Sequence, residues 1–153
     1  MKIIATALCV ACVSYASAQK IAADKVPANI KDSFKKQFPQ AEKTQWELDE
    51  KDYEVNFHLN KKEHSAKYNT NAEWLETEEE ISVAEIPAAV KQAIDKEFSK
   101  AEIEEAEKVS KPNNVVVYEV EVEQNEKEKF EAQFSTDGKL LKKEAITKKE
   151  KKD

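Results

Sequence analysis

Tyr53-Glu54-Val55-Asn56-Phe57-His58-Leu59 alternates apolar and polar side chains without a break. A period of two marks a strand with one buried and one wet face, so Tyr53, Val55, Phe57 and Leu59 point to a core while Glu54, Asn56 and His58 point away. Asn60-Lys61-Lys62-Glu63 then turns the chain, and His64, Ala66 and Tyr68 resume the inward set. A loop at Lys61-Lys62 places Leu59 opposite His64 and puts both inward sets on one face of a hairpin. Downstream, Val116, Tyr118, Val120 and Val122 repeat the pattern, answered by Phe130, Ala132 and Phe134. A three-residue loop at Asn125-Glu126-Lys127 keeps that second pair in register. Less regular strands are expected over Thr44–Asp49, Trp74–Ile81, Glu102–Val109 and Lys139–Ile146, with Asp137-Gly138 as the single glycine turn.

Each hairpin is preceded by a helix, and the helices reveal a duplication. Val26-Pro27-Ala28-Asn29-Ile30-Lys31 returns as Ile86-Pro87-Ala88-Ala89-Val90-Lys91 at an offset of 60. Tyr53-Glu54-Val55 returns as Tyr118-Glu119-Val120 at an offset of 65, so five residues have entered, around Ser110–Asn114. Tyr68 and Leu75 match Phe134 and Leu141 at an offset of 66. A period near 60 indicates a duplicated unit rather than a short-period solenoid, with units over 24–83 and 84–147. Ile30, Phe34 and Phe38 form one helical stripe; Val90, Ile94 and Phe98 form the other. Pro27 and Pro87 suit a first helical turn, and Pro39 stops the first helix. Ser82 and Glu85 mimic a capping box, but a helix beginning there would hold Pro87 inside it, so that start is rejected. The fold class expected is α+β: two tandem units, each one helix packed on a roughly four-stranded antiparallel sheet, joined in one continuous domain. One face of each sheet is left to water or a partner.

Residues 1–18 read as a secretory signal peptide rather than fold. Lys2 is a positive start, Ile3–Val13 an apolar run, and Ala16-Ser17-Ala18 a small-x-small cleavage site, placing the product in the periplasm or outside the cell. Both cysteines, Cys9 and Cys12, leave with it; lipidation at Cys12 is set aside because position 9 should be a larger aliphatic. No other apolar run approaches the ~18 residues that span a bilayer, so no transmembrane segment is expected in the mature chain.

The charge balance narrows the function. All 25 basic residues are lysine, against 31 Asp and Glu, for a net charge of -6. Residues 19–138 hold seventeen Lys against twenty-eight acids, while 139–153 hold seven Lys against three, so 148–153 form a basic tail. A chain with one glycine cannot build phosphate loops or dinucleotide fingerprints, and an acidic chain without arginine is a poor nucleic-acid binder.

The repeated Val-Pro…Ile…Phe, the Tyr-Glu-Val strands and the run Tyr68-Asn69-Thr70-Asn71-Ala72-Glu73-Trp74-Leu75 resemble the PepSY-like family described as β-lactamase-inhibitor-like. The resemblance covers about 24–147 and rests on Pro27, Phe38, Tyr53, Tyr68, Trp74, Leu75 and their second-unit partners Pro87, Phe98, Tyr118, Phe134, Leu140, Leu141. It implies an exported protein of two helix-on-sheet units with an inhibitory or peptide-binding role, and it supplies no catalytic residues. Asn71-Ala72 stands where the family's first turn has glycine, and Leu140 replaces the second Trp.

No catalytic, cofactor or metal residues are assigned. His58 and His64 fall on opposite faces of their hairpin, and alternation splits the carboxylates of Glu76–Glu80, leaving at most weak calcium binding. A Gly-x-Ser-x-Gly elbow is missing, and so many carboxylates make accidental pairs uninformative. The expected function is a non-catalytic exported module that binds a protein or peptide through its helix-free sheet face, inhibition being one form of this. The alternatives are a structural or stress-type envelope protein without a single tight partner, and an enzyme of unknown reaction. Candidate partner-binding residues are Trp46, Glu54, His58, Trp74, Glu119, Glu121 and Glu123. Aromatic anchors dominate interface energetics, so exposure of Trp46 or Trp74 discriminates between the readings.

Overall fold

The computed structural model describes residues 19–124 and 128–146. The cleavage site at Ala18, Cys9, Cys12, the loop 125–127 and the tail 148–153 lie outside the described residues. Nine strands run in chain order: β1 (Gln19–Ile21), β2 (Glu42–Asp49), β3 (Asp52–Leu59), β4 (Lys62–Tyr68), β5 (Trp74–Glu80), β6 (Glu102–Lys111), β7 (Val115–Gln124), β8 (Glu128–Ser135) and β9 (Leu140–Ile146). Two helices interrupt them, α1 (Ala28–Gln37) between β1 and β2 and α2 (Ala88–Glu97) between β5 and β6.

The strands form one nine-stranded sheet in sequential order, every neighbouring pair antiparallel. This corrects the expected fold class. The described residues are mainly β, a single meander with two short helices, not two units of a helix on a four-stranded sheet. The deciding join is β5 to β6, where Thr77, Glu78, Glu79 and Glu80 face Ser110, Val109, Lys108 and Glu107. Two separate sheets would each end there in a row of unpaired N–H and C=O groups; pairing the edges satisfies both rows at once. Beyond the eight strands expected, β1 adds to β2, with Ile21 opposite Trp46.

Both helices start after a proline. Pro27 and Pro87 are the capping residues just outside the first turn, one position earlier than expected, with extended ψ of 140° and 146°. The carbonyl of each accepts from the N–H four residues on, Lys31 at 3.2 Å and Lys91 at 3.0 Å. The Ser82–Glu85 capping box is real, yet it caps a separate 3-10 turn at Val83–Glu85, so α2 still begins beyond Pro87. The β3–β4 turn is Asn60-Lys61, both with positive φ, so Leu59 faces Lys62 and Phe57 faces His64. That two-residue turn lies one residue upstream of the expected loop, and the pairing slips by two, which leaves the inward face unchanged.

Each helix covers part of one sheet face. α1 lays Ile30 and Phe34 on Trp46, Val55, Phe57, Ala66 and Tyr68. α2 lays Val90 and Ile94, followed by Phe98, on Ala106, Val120, Val122, Ala132 and Phe134. Among the described residues no helix is long and apolar enough to cross a membrane.

Candidate functional site: the helix-free face of the sheet

With both helices on one side, strand alternation sends the intervening residues to the other. Register makes rows across that uncovered face. One row runs Glu80–Glu107–Glu119–Gln133–Lys142, and the next Glu105–Glu121–Glu131–Glu144. Nearer the amino-terminal half lie Glu54, Asn56 and His58 of β3, with Lys67, Ser65 and Glu63 as their β4 partners.

Two hollows open on this face. A larger one of about 390 Å³ is lined by Glu54, His58, Glu78, Glu105 and Glu107 among others. A smaller one of about 140 Å³ is lined by Glu105, Glu107, Glu119, Glu121 and Glu131. Glu105 and Glu107 line both, so the hollows adjoin. Of the residues singled out from sequence, Glu54 and His58 thus fall in the first hollow and Glu119 and Glu121 in the second. Glu123 stands beside them, 3.3 Å from the Lys129 ammonium.

The tryptophans are elsewhere. Trp46 is 6% exposed and packs edge-on to Phe34 within the α1 core. Trp74 is half-buried against that same core, and its Nε1–H donates to Thr77 Oγ1 at 2.9 Å. Both belong to the helix side of the sheet and not to the acidic face, which answers the question of core or interface that the sequence left open. A shift in the β2–β3 pairing between Glu42 and Gln45, with Lys43 at φ 53°, breaks the alternation count that would have located Trp46. Glu78, Glu105, Glu107 and Glu131 escaped selection. For Glu105 the cause is a bulge: Ile103 faces Val122, yet Glu105 faces Glu121, so counting from inward Ile103 assigns Glu105 to the wrong side.

Carboxylates crowded at low exposure resist ionising together. Burial, and then the carboxylates of Glu78, Glu119, Glu105 and Glu131, push Glu107 up to about 8. Burial and Glu131 push Glu119 up to about 7, against a hydrogen bond from Gln133 Nε2 at 2.6 Å. Burial also raises Glu54, opposed by Lys67, and Glu78, opposed by the Ser65 hydroxyl donating at 2.8 Å. Cations sit around the rim. Lys129 pairs with Glu104, Glu121 and Glu123; Lys142 with Glu131 and Glu144; Lys111 with Glu76. Such half-exposed pairs contribute less than ~1 kcal/mol each. Among the described residues no group of three or more His, Cys, Asp or Glu is arranged to hold a metal ion.

A pH dependence follows. The folded state holds the Glu107 proton up to about 8, whereas an unfolded chain releases it near 4.5. Between those values the folded state binds more protons, so stability falls as pH rises. The Glu107 contribution is fully present below about 4.5 and lost by about 8. Glu107→Gln keeps the shape and removes the charge. Thermal unfolding from pH 5 to 8.5 is expected to show the variant gaining on the wild type, reaching about 1–2 kcal/mol at the alkaline end after discounting for solvent screening. Parallel curves for the two proteins would show that Glu107 ionises normally.

Fold and site together define a helix-backed antiparallel meander with one open, glutamate-rich face. The chain belongs to the PepSY-like family: the model described as "Putative beta-lactamase-inhibitor-like, PepSY-like" matches residues 14–65 and 57–142. Solved structures agree in fold. A BLIP-like protein from Bacteroides fragilis is 27% identical, with a TM-score of 0.69 over 83% of this chain and 91% of that one. A chain described as one of the "putative periplasmic proteins" of Bacteroides eggerthii is 26% identical, with a TM-score of 0.74 over 80% and 90%. A DUF2874 family protein from Bacteroides uniformis, 24% identical, superimposes with a TM-score of 0.74 over 78% and 89%. No curated protein matches the sequence.

Proposed function

We propose that the protein is an exported, non-catalytic binding module, a duplication of units 24–83 and 84–147, that takes a protein or peptide on its helix-free sheet face. One observation carries this reading: both helices lie on the same side, leaving a preformed face whose adjoining hollows share Glu105 and Glu107. The β-lactamase-inhibitor-like description of the family and the BLIP-like relative support a protein as partner, and the periplasmic relative supports export. Binding would act by steric occlusion, and the carboxylates would steer a cationic partner surface during encounter.

Crosslinking capture from the native envelope fraction identifies the partner, and association kinetics then test the surface. Lysine substitutions at Glu119, Glu121 and Glu123 together are expected to slow association about tenfold at low ionic strength, and much less at high salt. An unchanged rate constant would remove this face from the interface. A second reading, an envelope protein without a single tight partner, draws on the burial of Trp46, which leaves the face without that aromatic anchor. Empty captures together with a general envelope phenotype on deletion would favour it.

A further inference from the structure

The duplication extends to the edges of the sheet. β9 repeats β5 at an offset of 66, pair for pair: Ala132 faces Lys143 as Ala66 faces Thr77, and Glu131 faces Glu144 as Ser65 faces Glu78. Both ladders slip at the same place, before Tyr68–Trp74 and before Phe134–Leu140. The outer edge of β5 is taken by β6. The outer edge of β9 is that same edge one unit on, and among the described residues β8 is its single neighbour. An open strand of seven residues offers a row of unpaired N–H and C=O groups, a template for a further strand. Lysine side chains commonly guard such edges. Here they are drawn back onto their own chain. Lys142 pairs with Glu144 at 3.0 Å and Glu131 at 3.7 Å on the helix-free face. Lys143, on the helix side, pairs with Glu97 at 3.0 Å above the rings of Phe98 and Phe130. Leu141 beside them is 49% exposed.

The pairing of β5 with β6 cannot recur between copies. Its β6 side comprises Glu107, Lys108, Val109 and Ser110, whose counterparts 60 residues earlier are Glu47, Leu48, Asp49 and Glu50. β1 already holds Glu47 and Leu48 through Lys20 and Gln19, in the register of Glu80 and Glu79. Glu50 has left the strand with φ 55°, and Asp49 would meet Glu144, like charge to like. The amino-terminal edge is closed, and head-to-tail growth with it.

We propose that β9 is a self-association edge: it pairs antiparallel with β9 of a second copy about a two-fold axis at Lys143, continuing the sheet with both helix-free faces on one side. Charge selects this register. Lys142 falls opposite Glu144 of the second copy, and Glu144 opposite its Lys142, two complementary cross-strand pairs. Centring on Lys142 or on Glu144 sets that residue against itself and gives no such pair. At the axis the two Lys143 ammoniums are held apart, each over its own rings by its own Glu97. One strand edge buries less than the ~1,200 Å² of a stable interface, so the dimer is expected to exchange, half-associated at about 0.1 mM. The pairing is independent of what the helix-free face binds.

Sedimentation equilibrium of the protein from ~0.01 to ~1 mM is expected to show the average mass climbing from one chain toward two. Lys142→Glu and Glu144→Lys each set like charges across the axis, and each is expected to weaken association at least about tenfold. Mixed in equal amounts, the two variants are expected to associate again, because an edge of carboxylates then meets an edge of ammoniums; that recovery also shows both variants folded. A mass of one chain at every concentration overturns the proposal. So does association that both substitutions leave unchanged, or a mixture of variants that stays apart. Growth beyond two chains overturns it as well, since that would put the β2 edge in the contact.

Discussion

Phe34→Ala is expected to cost about 3–5 kcal/mol of unfolding free energy, a large part of what a domain of this size possesses. Phe34 is the hub of the first core. Its ring meets Trp46 at 5.5 Å, Phe57 at 5.1 Å and Tyr68 at 6.5 Å, all edge-on, and Phe38 at 5.6 Å. Truncation to Cβ removes one partner from four ring pairs and leaves a void under α1. Three of the surrounding rings, Trp46, Phe57 and Tyr68, belong to β2, β3 and β4, which are fixed by ladder hydrogen bonds and cannot close on the gap. Trp46 and Trp74 both border this core, so tryptophan fluorescence reports its loss directly. Because β5 and β6 pair across the middle, circular dichroism and fluorescence should give one coincident urea transition, shifted to lower urea in the variant. Separate transitions would mean that the two halves unfold independently. A cost below about 1 kcal/mol would mean that the site refills.

What the sequence made legible is what depends on near neighbours. Ile30 with Phe34, and Val90 with Ile94, stand four residues apart, and each pair is buried on the sheet. The β7–β8 register, Val122 with Phe130 and Tyr118 with Phe134, follows from the short connection between the strands. The union of β5 with β6 was not legible, because α2 and its flanking turns separate them and no residue pattern names a partner across such a gap. The acidic face was half legible. Glu119 and Glu121 lie on a regular strand, where alternation locates them. Glu105 and Glu107 both follow a bulge in β6, and Glu78 and Glu80 meet Glu107 only once β5 and β6 are neighbours. Trp46 was left open between core and interface by an irregular strand, and it is a core residue.

The chain's single glycine gives the other large effect: Gly138→Ala is expected to destabilise by about 2–4 kcal/mol, as left-handed backbone strain adds to a steric clash. Gly138 has φ +85°, and a Cβ built there would lie 2.5 Å from the Ala89 carbonyl oxygen and 3.4 Å from Ala93 Cβ. Both contacts are on α2, and the first is backbone, so nothing can rotate away. The turn itself is braced by the Gly138 N–H donating to the Ser135 carbonyl and the Ser135 N–H donating to that of Lys139, each at 2.9 Å. Relief of the clash must therefore push α2 off its core or break the β8–β9 turn. An internal control stands 66 residues earlier, where Ala72 also has positive φ, 65°, and already carries a Cβ. That turn is held to α1 by the Ser33 hydroxyl donating to the Ala72 carbonyl at 3.1 Å, whereas Ala93 occupies the matching place on α2. Ala72→Gly exchanges a strained conformation for added chain entropy, so it should move stability by less than about 1 kcal/mol. Urea unfolding of both variants separates backbone strain from contact. If Gly138→Ala costs only the ~1 kcal/mol of strain, the turn can stand away from α2; the larger loss identifies close approach to the helix as the reason glycine occupies this position.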